Sequence, residues 1–126
     1  ELLGALISRK QQIFACEALA IPAALLRNAD ILTNCDILWF VGNEAACSSL
    51  VRGASKEEDV ASIAGAAHLM MLSRRCRIWF EWIDSDSNPA DGLSRDGCKD
   101  AWTLSQGWQL KEEVSIEWSE IQQYVS

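Results

Sequence analysis

Positive charge is scarce in this chain: eleven Lys and Arg stand against eighteen Asp and Glu, for a formal charge of −7. That deficit excludes binding nucleic acid through overall charge, because such binding needs cations to displace the counterions of phosphates. Only a local basic patch or a bound divalent metal reverses the sign at one site. His68 is the single histidine, which removes His-rich metal centres and any triad that needs a histidine elsewhere. Five scattered cysteines contain no C-x-x-C pair, and neither a disulfide framework nor a zinc site is built from such spacing. They read as small buried apolar groups in a reducing, intracellular compartment. No apolar run approaches the roughly 18–20 residues of a membrane span, so no membrane partner is expected. The opening ELLGALIS is too short, and starts with the wrong charge, for a signal peptide. Prolines number only two, and both mark positions of structural interest.

What remains is ordinary globular material: 126 residues, 49% apolar and 23% charged, with room for one hydrophobic core. Residues 10–28 read as a helix, with Ile13, Ala20, Ile21, Ala24 and Leu25 at helical spacing. Pro22 inside it removes one backbone hydrogen bond and crowds the carbonyl of Ala18, which predicts a kink or a break. The continuous apolar run at 37–41 predicts a strand covered on both faces. Gly42 and Asn43 end it, Asn43 capping a helix over 44–50 that Gly53 stops. Ser55 and Glu58 have the spacing of a capping box, opening a helix to about Arg74 with Val60, Ile63, Ala64, Ala67 and Met71 inward. A second strand follows at 76–83, with Cys76, Ile78, Phe80 and Trp82 on one face and Arg77, Trp79, Glu81 and Ile83 on the other. Strand, helical crossover, strand implies a parallel pair. The fold class is thus α/β. The turn at 84–89 leads to a short helix capped by Asn88, with Pro89 in its first position. Trp39, Trp79 and Trp82 are assigned to the core. Residues 1–97 form the domain, and 98–126 an acidic tail or variable extension, helical over 112–125.

Two carboxylates stand out. Glu17 shares its helical stripe with Ile13, Ala20 and Ala24, so a charge falls on a face that should pack against the sheet. An unpaired charge there is expensive; it requires a basic partner, a position at the rim, or a metal. Asp91 lies in the first turn of the helix after the second strand, where the helix dipole favours a negative charge. It serves either as a ligand for a hard cation or as a cap alone. In open α/β sheets both belong to the rim where ligands gather, at the carboxyl ends of the strands.

The segments QQIFACEALA at 11–20, WFVGNEAA at 39–46, LVRG at 50–53 and NPADGLSR at 88–95 together resemble the ribonuclease H-like domain attached to retroelement reverse transcriptases. The resemblance spans residues 10–95 and is most specific in the last segment. It implies a nuclease that cuts the RNA strand of an RNA–DNA hybrid by a two-magnesium mechanism, tethered to an upstream reverse transcriptase domain. Mapped here, the family's helix glutamate is Glu17 and its late aspartate is Asp91, both Mg2+ ligands and catalytic residues. The aspartate of its fourth strand falls on Gly42, which offers no side chain; Asn43 points away and Glu44 has entered the next helix. The first three strands, with their aspartate, have no counterpart before residue 10. The resemblance therefore implies an amino-terminally truncated remnant, a polyprotein fragment or a decayed copy, with Mg2+ binding weakened or lost and little or no hybrid cleavage. Two alternatives stand beside it: a non-catalytic binding or scaffolding module, and an active enzyme whose site an upstream segment and Glu44 complete.

Overall fold

The computed structural model describes residues 13–108 and 116–124. The start of the first helix at 10–12 and residues 112–115 and 125 of the predicted tail helix lie outside the described residues; within 116–124 the helix covers only Trp118–Gln122. The elements run α1 (Ile13–Arg27), β1 (Asp36–Val41), α2 (Glu44–Arg52), α3 (Glu58–Arg74), β2 (Arg77–Trp82), α4 (Asp91–Asp96), α5 (Ala101–Ser105) and α6 (Trp118–Gln122). The chain is mixed α/β, mostly helical, and its described strands form one parallel pair with Asp36 opposite Arg77 and Val41 opposite Trp82. This is the strand pair and crossover expected from the pattern, trimmed by a residue at each end of β2.

The core is helical on one side of the pair. Ala15, Ala18, Ile21 and Leu25 of α1 pack with Val60, Ile63, Ala67 and Met70 of α3 and with Leu50 of α2. Small alanines at the crossings let α1 and α3 approach closely, and the larger Ile, Leu and Met side chains fill the space between them. Pro22 is buried and α1 continues through it unbroken to Arg27, so the predicted break does not occur. The face of α1 that packs inward is also rotated from the predicted stripe. Ala20 is exposed, whereas Ala15, Ala18 and Leu19 are buried. Glu17 consequently lies on the flank of the packed face, half-buried.

Three local expectations need correction. First, β1 is covered on one face only among the described residues: Ile37, Trp39 and Val41 face the helices, while Leu38 and Phe40 are 60% and 50% exposed. On β2, Trp79 shares that open face at 68% exposed, and Trp82 is half exposed, so of the three strand tryptophans only Trp39 packs on the core. Second, Ser55 forms no capping box. Its hydroxyl accepts from the Glu57 amide at 3.1 Å, and α3 starts at Glu58. Third, Pro89 lies outside α4. Asn88 instead closes a turn, its Oδ1 accepting from the Ala90 amide at 3.0 Å, and Asp91 is the first helical residue.

Other local signals match the structure. Asn43 caps α2 through its side chain, which accepts from the Ala46 amide at 2.9 Å, and Gly53 ends that helix at φ 68°. Left-handed backbone is where glycine loses least. Beyond residue 97, Asp100 caps α5 and α6 places Ile121, fully buried, in the same core as α1.

Candidate active site

Three separate pieces of chain converge at the carboxyl end of β1. The strand finishes at Val41, so Gly42 presents bare backbone at the rim. The inward packing of α1 sets Glu17 beside it. The turn after β2 brings Asn88 and, three residues on, Asp91. A β-carbon built on Gly42 would lie 3.4 Å from Asn88 Nδ2 and 3.8 and 4.0 Å from Glu17 Oε1 and Oε2. The space where a side chain at 42 would project is therefore bounded by Asn88 and Glu17.

The electrostatics agree with that placement. Burial raises the Glu17 carboxyl above its ordinary value of 4.5, and the negative charge of Asp91 raises it further. Two like charges close enough to perturb one another, on one partly desolvated rim, favour either a shared proton or a cation between them. Arg95 pairs with Asp91 from one helical turn on, with an Nη2 to Oδ2 separation of 3.3 Å. Glu17 has no ion pair among the described residues.

As a donor set, Glu17 and Asp91 suit one hydrated Mg2+, which ordinarily takes one or two carboxylates, several waters and substrate phosphates. They do not suit a pair of ions. Among the described residues no group of three or more His, Cys, Asp or Glu is arranged to hold a metal. Glu44 sits exposed in the first turn of α2, and Asn43 spends its side-chain oxygen on the α2 cap. Neither takes the place that Gly42 leaves open.

The sequence reading missed a neighbour of the site. A cleft of about 500 Å³ extends from Asn88 and Asp91 past Arg95 to Trp102 and Asp100. Asp100 is buried against Gly92, where any β-carbon would fall inside its carboxylate, and it accepts from both the amide and the hydroxyl of Thr103, at 2.9 and 2.7 Å. These bonds, ahead of a smaller pull from Arg95, hold the Asp100 carboxyl below its usual range. The signal in the sequence was the pairing of Gly92 with an Asp-x-x-Thr cap, which reads only as a helix start until the two are seen together. Of the arginines at 74, 75 and 77, the densest basic cluster in the sequence, Arg77 is taken up by a two-point pair with Asp36, at 2.8 and 3.0 Å, at the opposite end of the strands. Compared with protein-family models, with curated proteins and with solved structures, the chain matches none.

Proposed function

We propose that the chain is a remnant of a ribonuclease H-type endonuclease domain from a retroelement reverse transcriptase polyprotein, and that it no longer cleaves. The observation that carries this reading is the convergence of Glu17, Gly42 and Asp91 at one strand tip. Two of these are carboxylates at positions that resemble the family's ligands, and the third is an empty position beside Glu17 and Asn88 where a further ligand would stand. In an intact site, two Mg2+ ions bound by such carboxylates would orient water and stabilise the leaving oxygen at the scissile phosphate. Here the residues can hold at most one ion, and each lost anionic ligand weakens the hold on metal and phosphate together. The upstream polymerase domain and an RNA–DNA hybrid are the partners this reading assigns.

The test fills the empty position. In the Gly42→Asp variant, Mg2+ followed by backbone chemical shifts is expected to perturb residues around Glu17 and Asp91 at about tenfold lower concentration than in the parent chain. Adding Glu17→Gln should remove the gain. With the preceding reading frame included, the Gly42→Asp protein is expected to cut the RNA strand of a hybrid, whereas the parent sequence does not. If Gly42→Asp neither tightens Mg2+ nor restores cutting, the ribonuclease lineage is wrong.

One observation favours a second reading, a non-catalytic binding or scaffolding module. The open sheet face of Leu38, Phe40 and Trp79 is a contiguous apolar surface, the kind that marks an interaction site. The Mg2+ titration separates the two, since a scaffold has no reason to gain ion affinity at residue 42.

A further inference from the structure

The two strands begin alike. Asn34, at φ 57°, precedes Cys35, and Arg75, at φ 54°, precedes Cys76. The Asn34 amide donates to the Arg74 carbonyl at 2.9 Å and the Arg77 amide to the Cys35 carbonyl at 3.0 Å, stitching the chains on both sides of the cysteine pair. Because Asp36 stands opposite Arg77 in the parallel register, Cys35 stands opposite Cys76 one step earlier. Neighbouring strands run about 4.8 Å apart, inside the roughly 4.4–6.8 Å between α-carbons that a disulfide spans. Strand alternation sends Cys35 to the side of Ile37 and Trp39, and Cys76 to the side of Ile78 and Phe80. These are the same face, and both cysteines join the core there, Cys76 buried and Cys35 half-buried. Burial, and after it the neighbouring Cys35 sulfur, raise the Cys76 thiol, while the Arg74 guanidinium acts against them. The Nε of Arg74 is buried with no hydrogen-bond partner among the described residues.

We propose that Cys35 and Cys76 are a two-thiol modification site that closes to an intrachain disulfide when it meets a small-molecule disulfide. Cys35, the more exposed, attacks as thiolate. One sulfur–sulfur bond of the oxidant breaks, a mixed disulfide forms on Cys35, and one thiolate leaves. Cys76 then attacks the Cys35 sulfur, forming the cross-link and expelling the second thiolate. Two electrons pass to the oxidant, and the two cysteine protons go to water and on to the released thiolates. The Arg74 guanidinium, whose Nε is buried, stabilises the Cys76 thiolate at the second step. The cross-link ties the start of β1 to the start of β2 and closes the loop that runs through α2 and α3. This inference stands independently of the nuclease lineage.

The test equilibrates the full chain in mixtures of reduced and oxidised glutathione, blocks free thiols by alkylation and maps the peptides by mass spectrometry. The expected product is a Cys35–Cys76 linked peptide, with the intact chain lighter by two hydrogens and restored by dithiothreitol. It should form at an oxidised-to-reduced ratio at least about tenfold lower in the native chain than in denaturing guanidinium chloride, where proximity is lost. The linked chain should also melt several degrees higher. Cys98→Ser should change none of this, and Cys35→Ser should abolish it. The proposal is overturned if native and denatured chains close at the same ratio, or if glutathione stays on Cys35 while Cys76 remains free.

Discussion

Glu17 shows how a single side chain carries both a cost and a clue. Its folded-state carboxyl sits above the value it has in the unfolded chain, so the native state holds the proton more tightly. Stability tied to this group is fully present below the unfolded value and is lost as pH rises through the folded one. Glu17→Gln should therefore raise the thermal midpoint slightly at pH 7 and leave it unchanged at pH 4, as measured by paired melts at the two pH values. Glycine 92 makes the opposite point, since its value lies in what it lacks. Gly92→Ala would drive the Asp100 carboxylate from its place on Thr103, losing the α5 cap at a cost of about 1–2 kcal/mol. A calorimetric melt should register the loss, and Asp100→Ala should cost a similar amount without any clash. Glu17 was legible in the sequence because a charge at helical spacing with apolar residues is anomalous, and Asp91 because a carboxylate in a helix's first turn after a strand sits where ligands gather. The clash at 92 was not, because nothing in a linear string says which distant side chain lies over a glycine.

At the level of elements, punctuation was easier to read than faces. Asn43 and Gly53 bracket α2 as their chemistry dictates, since caps and left-handed stops are decided within a few residues. The run at 37–41 was harder. Uniform apolarity implied cover on both sides, yet Leu38 and Phe40 lie open among the described residues. Composition reports how apolar a strand is and is silent on what the rest of the molecule supplies to cover it. The same applies to Pro22: buried packing of α1 against α3 outweighs one missing hydrogen bond. The short helix α6 earns its place through Ile121, which is fully buried. Ile121→Ala should cost about 2–4 kcal/mol in urea unfolding, much more than expected of a dispensable tail. Phe40→Lys, on the open face, should leave stability within about 0.5 kcal/mol while lowering any concentration-dependent association seen by sedimentation.

For the whole molecule, charge and architecture set separate limits. A net −7 works against any polyanion unless cations intervene, so hybrid binding at the β1 tip, where present, should strengthen with Mg2+ and not merely fade with salt. A filter-binding series over Mg2+ at fixed ionic strength measures that directly. The fold class was within reach of the sequence because a parallel pair joined by two helices leaves a clear order of patterns. The approach of an early helix and a late turn to the tip of one strand was expected from the topology of open α/β sheets, whereas the rotation of α1 that leaves Ala20 exposed and Glu17 on its flank was not, being a property of packing alone.

The parallel ladder has a kinetic corollary. Asp36 cannot find Arg77 until the forty intervening residues have contracted, and closing so long a loop before it is rewarded slows the search. Local helix formation in α2 and α3 therefore precedes registration of the strands, which makes zipping of the ladder a late event. Conservative truncations along β1 and β2 should then accelerate unfolding and barely touch the refolding arm of a chevron plot, whereas helix-weakening changes in α3 should slow refolding.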